Sequence, residues 1–181
     1  MKIRLISGKY GGRSLDTPPG DKTHPMGERV RNALFNSLGN IVVDAEVLDA
    51  FSGSGSLGFE ALSRGAASVV FIEKDRVANK IINENIESLD LQTVAKNIKA
   101  GVAGWSENNL DKKFDLILVD PPYGDMQLST VSRLFSHLKN NGVMVLSHIG
   151  SSEVLKPESN IVVVDNRSYG NAHLTYYRKV E

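Results

Sequence analysis

From residue 47 onward, short apolar runs alternate with helix-length segments, and this alternation restricts the chain to a mostly parallel sheet covered on both faces. Val47–Phe51 is the first run, followed by a glycine-rich turn and a helix through Arg64. Ser68–Glu73 is the second, followed by a helix over about Arg76–Leu89. A weaker strand near Asn97–Val102 precedes the strongly apolar Phe114–Val119, then a helix over about Leu128–Lys139 and a strand at Gly142–Ile149. Ile161–Val164 and Leu174–Arg178, around Tyr169-Gly170-Asn171, form a closing hairpin that adds antiparallel strands at one edge. The count is a seven-stranded α/β sheet.

Upstream, Ile3–Ser7 alternates and meets the glycine turn Lys9-Tyr10-Gly11-Gly12-Arg13, a short β-hairpin closed by Thr17-Pro18-Pro19-Gly20. A helix follows over about Gly27–Leu38, its apolar stripe set by Val30, Leu34 and Leu38. With 181 residues the chain suits one domain, read as residues 23–181, with residues 1–22 as a small basic extension. Lys plus Arg and Asp plus Glu both number 21, so net charge favours no partner. Their distribution is uneven. Residues 1–31 hold seven basic side chains against three acidic ones, which points to a polyanion contact near the N-terminus. A chain without cysteine has no disulfide or thiolate metal site, and four scattered histidines make no metal centre. No apolar run is long enough to span a bilayer and no signal-peptide core follows the basic start, so a cytoplasmic protein is expected.

The turn Asp49-Ala50-Phe51-Ser52-Gly53-Ser54-Gly55-Ser56-Leu57-Gly58 places GxGxxG between a strand and a helix. Glycine there permits positive φ and lets a ligand approach the backbone. The spacing alone serves NAD, FAD and S-adenosylmethionine equally. Glu73, at the end of the next strand, is placed to accept the hydroxyls of an adenosine ribose. Asp49 ends a buried strand, where a carboxylate is costly without a partner. The ammonium of a methionine moiety would serve, as would a backbone-capping role.

Asp120-Pro121-Pro122-Tyr123 directly follows the strand Phe114–Val119. In open parallel sheets ligands bind beyond the carboxyl ends of the strands, where strand order reverses. An exocyclic amine on a nucleobase is a poor nucleophile because its lone pair is delocalised into the ring. The Asp120 carboxylate and Pro121 carbonyl can accept its two hydrogens and favour a pyramidal nitrogen. Prolines restrict the backbone and hold these acceptors ready. Tyr123 offers a face for stacking an extruded base. The expected reaction is in-line methyl transfer, driven largely by positioning.

On these residues the chain resembles the bacterial RsmD family, which methylates the N2 amine of a guanine in small-subunit ribosomal RNA. The likeness includes Ile6–Arg13, Arg29–Asn36, Leu48–Gly65 with Glu60-Ala61-Leu62-Ser63-Arg64-Gly65, Asp120–Tyr123 and the tail. It implies a Rossmann-like class I methyltransferase with a small RNA-binding hairpin. The implied cofactor is S-adenosylmethionine, with Asp49, Gly53, Gly55 and Glu73 matching the family's cofactor site and Asp120, Pro121 and Tyr123 its catalytic one. Phe51 and Val102 are further cofactor-binding candidates, Val102 by packing on the adenine. Lys9, Arg13, Arg29 and Arg31 are the RNA-binding candidates, the last two open between RNA and cofactor. The implied substrate is rRNA within an assembling subunit, and the enzyme is expected to be monomeric.

The chain departs from the family at three places. His24-Pro25-Met26 stands where Arg-Pro-Thr is usual. Ala100-Gly101-Val102 lacks an acidic or amide residue for the adenine amine. Ser147-His148 replaces a frequent glutamate. Trp105, His137 and His148 are read as packing residues. Adenine-N6 methylation uses the same tetrapeptide, but the chain is short for a DNA target-recognition domain. Glutamine methylation would favour Asn at position 120, and a nicotinamide oxidoreductase would leave Asp120–Tyr123 without a role.

Overall fold

The computed structural model describes residues 2–20, 25–122, 124–150 and 155–181. Two antiparallel strands, β1 (Lys2–Arg4) and β2 (Ser14–Asp16), form a separate hairpin, followed by helix α1 (Glu28–Leu38). The main sheet then alternates as expected: β3 (Glu46–Asp49), α2 (Ser56–Ser63), β4 (Ser68–Ile72), α3 (Arg76–Ser88), β5 (Ala95–Ile98) and α4 (Val102–Asn108). It continues through β6 (Phe114–Val119), α5 (Leu128–Arg133), β7 (Leu138–Ile149), β8 (Ile161–Tyr169) and β9 (Ala172–Lys179). Strand order is β5-β4-β3-β6-β7-β9-β8. The first five are mutually parallel, and β9 pairs antiparallel with both β7 and β8. This is the Rossmann-like methyltransferase sheet expected from the sequence, with order reversing between β3 and β6.

Two apolar layers hold the sheet. On one face Leu34, Phe35 and Leu38 of α1 and Leu57 and Phe59 of α2 pack with Val47, Phe71, Leu116 and Leu118. On the other, Val102 and Trp105 of α4, Val131 and Phe135 pack with Leu48, Ile117, Met144 and Leu146. Alternate residues of β6 thus serve opposite layers, as a strand buried on both faces requires. Trp105 is packed, its ring 4.9 Å from that of His137.

Several segments differ from the sequence reading, among them β1, which ends at Arg4 and not Ser7, and β8, which runs on to Tyr169. The weak strand lies at Ala95–Ile98, and Val102 begins a helix instead of ending that strand. The helix expected to reach Lys139 stops at Arg133, passes through a 3-10 turn at Leu134–His137, and β7 has already begun at Leu138. Leu138 pairs with Phe114, ahead of an irregularity before the Leu116–Val143 pairing. Pairing to β6 therefore outweighs the helical pattern.

The N-terminal hairpin is docked on α2 and α3. Glu60, fully buried in α2, accepts the backbone N–H groups of Ile6 (2.9 Å) and Ser7 (3.2 Å). Arg64 donates its Nε to the same carboxylate at 2.9 Å, and Arg31 Nε lies 3.6 Å from it. At α3, Asn85 exchanges two hydrogen bonds with the backbone of Asp16. Among the described residues no helix is long and apolar enough to cross a membrane.

Candidate active site

The glycine turn emerges at the carboxyl end of β3 and is pinned from both neighbouring strands. Ala50 N donates to Leu118 O at 3.0 Å, and Ser52 N to Ile72 O at 3.0 Å. The buried Ser52 hydroxyl donates to Asp49 O (2.7 Å) and accepts from Ile72 N (2.9 Å), locking the turn to β4. Gly53 and Gly55 adopt φ of 54° and 81°, the conformation glycine supplies without penalty. Gly58 is needed for a different reason. A Cβ there would lie 2.3 Å from the Phe71 ring and 3.0 Å from Asp49 Oδ2. Its absence lets α2 sit on the end of β3, where Gly58 N donates to Asp49 Oδ2 at 3.0 Å.

Asp49 is therefore held by the helix backbone, and this is the capping role left open from sequence. The contact does not neutralise it. The side chain is 1% exposed, burial pushes its pKa well above the usual carboxylate range, and Asp120 and Glu73 push the same way. No described cation pairs with it. A pocket that concentrates negative charge against a buried carboxylate fits a ligand carrying a positive group.

Glu73 lies just past β4 and bridges two backbone amides: Gly53 N donates to Oε2 at 2.7 Å and Asp75 N to Oε1 at 2.9 Å. Both oxygens keep accepting capacity, so the carboxylate that shapes the turn can still take ligand hydroxyls. Phe51 and Ala100, both partly buried, pack against the cluster that contains Val102. The structure thus gathers Asp49, Phe51, Gly53, Gly55, Glu73 and Val102 at the carboxyl ends of β3, β4 and β5.

Asp120 follows β6 at the same end. It lines a cavity of about 260 Å³ with Pro121, Pro122, Gly124, Met126, Ser147, His148, Ile149, Asn171 and Ala172. Pro121 is buried and Asp120 half-buried. Burial raises the Asp120 carboxyl to about 6, against the opposing pull of a hydrogen bond from the Ser147 side chain. Tyr123 and His24 lie outside the described residues. The sequence marks Ser147 and His148 only as a departure from the family's glutamate, with no role in the site, yet both reach this cavity. His148 is buried, with Nε2 2.8 Å from Thr175 Oγ1 and its ring stacked 5.6 Å from that of His173. Burial lowers its pKa, favouring the neutral ring.

The basic candidates do not gather. Arg31 is a correction: it is 2% exposed, pairs with Glu60, and donates to Arg4 O (2.6 Å) and Met26 O (3.2 Å). Its guanidinium joins α1 to the hairpin and is not presented to RNA. Arg29, two residues away, is exposed in the first turn of α1. Lys9 and Arg13 are exposed at the other end of the sheet. Lys9 N donates to the carbonyl of Ser63, the last residue of α2, and an Arg13 Nη to that of Ser88, the last residue of α3. Both helices start at the cofactor end and run back, so α2 alone separates Lys9 from the glycine turn by about 12 Å.

A family model described as Conserved hypothetical protein 95 matches residues 3–178. YlbH of Bacillus subtilis (strain 168) is 31% identical over 182 residues, covering 98% of this chain and 99% of its own. The Escherichia coli (strain K12) protein named Ribosomal RNA small subunit methyltransferase D is 40% identical over 129 residues, 67% of this chain and 61% of its own. The chain belongs to the RsmD family. It is accordingly a methyltransferase. Structural likeness to the family is equally extensive. The solved structure of yhhF from Escherichia coli superposes with a TM-score of 0.88 at 28% identity, covering 99% of both chains.

Proposed function

We propose that this RsmD-family protein transfers a methyl group from S-adenosylmethionine to the exocyclic N2 amine of a guanine in small-subunit ribosomal RNA. The observation that carries the reading is the shared location of two half-sites. The glycine turn with Asp49 and Glu73, and the Asp120-Pro121-Pro122 turn over its cavity, stand at adjacent strand ends where the sheet order reverses. When bound, S-adenosylmethionine supplies an electrophilic methyl on a sulfonium. Its ammonium fits the unpaired Asp49 carboxylate, its ribose hydroxyls the remaining lone pairs of Glu73, and its adenine the apolar surface of Phe51 and Val102. The Gly53 and Gly55 backbone gives close approach.

Asp120 and the Pro121 carbonyl accept the two N–H groups of the target amine and direct its lone pair toward the methyl. Tyr123 supplies the stacking face for the base. As the nitrogen gains the methyl it becomes strongly acidic, and its proton passes to Asp120 or to water. Arg29 contacts RNA from the first turn of α1, and Lys9 and Arg13 hold phosphates at the end of α2 far from the glycine turn. That separation favours a folded substrate, the assembling subunit, over a short free RNA. The enzyme is read as a cytoplasmic monomer.

The test is transfer of labelled methyl to small-subunit particles lacking the modification, followed by nucleoside digestion. N2-methylguanosine is expected. Label on adenosine would overturn the substrate assignment, and no transfer to any particle would overturn the rRNA reading.

A further inference from the structure

We infer that Ser147 is a positioning residue for Asp120: its hydroxyl orients the carboxylate toward the cavity and keeps it able to accept the target N–H. The inference rests on the methyl-transfer reading above, and its geometry comes from the sheet. β6 and β7 are parallel and in register through the Val119–Leu146 pair, so Asp120 and Ser147 are the next residues on adjacent chains. Both line the same cavity. Strand pairing thus fixes the hydroxyl beside the carboxylate instead of leaving it to a mobile loop.

The electrostatic surroundings make this neighbour consequential. Among the described residues, ionisable groups at this end of the sheet include Asp49 on β3, Glu73 and Asp75 beyond β4, Asp125 in the turn after Pro122, His148 on β7 and His173 on β9. Asp49 and Glu73 are acidic, and burial favours the uncharged form of His148. No described cation is paired with Asp120. The Ser147 hydroxyl is the contact that draws Asp120 back toward the ionised form against burial. A hydrogen bond donated to a charged group both stabilises that charge and directs it. A carboxylate at position 147 would act in the opposite sense, placing a like charge beside Asp120.

The test uses the full-length protein as wild type, Ser147→Ala and Ser147→Thr. Single-turnover methylation of small-subunit particles is followed from pH 5 to 9, with S-adenosylmethionine affinity measured in parallel. The wild-type rate should fall below a limb near pH 6, the value of Asp120. In Ser147→Ala that limb moves to higher pH and the plateau falls roughly tenfold, with cofactor affinity within about twofold. Ser147→Thr, which keeps a hydroxyl, restores both. If Ser147→Ala does not fold, Ser147→Cys, close in size but a weak donor, takes its place.

A limb and plateau unchanged in the alanine variant would reject the inference. So would a threonine variant as impaired as the alanine one. A carbon-13 titration of the Asp120 carboxyl, assigned with Asp120→Asn, reads the same contact without turnover. An upward shift in Ser147→Ala with no methylation by wild type would sink the rRNA reading and leave the contact standing. No shift, with wild-type methylation intact, would do the reverse.

Discussion

At pH 7.5 a half-buried carboxylate raised to about 6 is held in its ionised form at the expense of stability. The sign is opposite to that of a paired carboxylate. Because the folded value lies above the unfolded one, the native state binds more protons between about pH 4 and 6, and stability from this group rises as pH falls through that window. Asp120→Asn should therefore nearly abolish turnover yet raise the melting temperature at pH 7.5. The gain is on the order of 3 kcal/mol at most and shrinks toward pH 4. Melts at the two pH values, with activity assays, check this. A variant destabilised at pH 7.5 would contradict the assigned charge state. Glu73 carries two tasks, so Glu73→Ala should weaken S-adenosylmethionine binding by about tenfold or more and loosen the turn through the lost Gly53 contact. Unchanged affinity by calorimetry would reject the ribose assignment. The residues that the fold brings to the candidate site were legible because strand-end position and residue type suffice to mark them. Ser52, Glu60 and Ser147 were not, because their partners lie 20 to 54 positions away in sequence for Ser52 and Glu60, and across a strand pair for Ser147.

Among the elements, β6 was read to its observed limits, Phe114–Val119, because an apolar run broken only by Asp115 and bounded by polar residues fits little else. The edge strand β5 was displaced, since AKNI carries no pattern and its place is set by pairing with Val69–Ile72. α4 gives little sequence signal because it has seven residues, one of them Gly104, and starts after Gly101. The hairpin was legible as a hairpin, but its mounting was not. Gly8 shows how close that mounting is: φ is +88°, and a Cβ would stand 1.9 Å from the Ser63 carbonyl oxygen. Gly8→Ala should cost about 2 kcal/mol or more from backbone conformation and collision. Loss of protease resistance in residues 1–20, with melting lowered by several degrees, is the expected result. Glu60→Ala should cost about 3–5 kcal/mol, because it strands the buried Arg31 guanidinium and two hairpin amides. A melt unchanged within a degree would show that the ion pair contributes nothing.

For the whole molecule, charge is divided between two ends of one sheet. If Lys9 and Arg13 hold phosphates, removing both should weaken binding to small-subunit particles and reduce the salt slope of log affinity by about two. A short stem-loop carrying only the target guanine should be bound equally by wild type and the double variant. Equal losses on both substrates would place these residues near the cavity, against the chain path along α2 and α3. The seven strands and their mostly parallel arrangement were readable from the alternation of elements, whereas the strand order depends on pairing and the division of charge on which helix ends the hairpin meets.

The buried Glu60 has a last consequence, for how the protein can be taken apart. Leu5 and Leu15 of the hairpin are 1% and 0% exposed, and Ile6 and Ser7 give their amides to a carboxylate with no exposed surface of its own. A truncated chain starting after residue 20 would be left with an acidic hole beneath the helix that carries the glycine turn. The basic arm therefore cannot be exchanged between relatives as a cassette unless its α1 arginine and α2 glutamate travel with it.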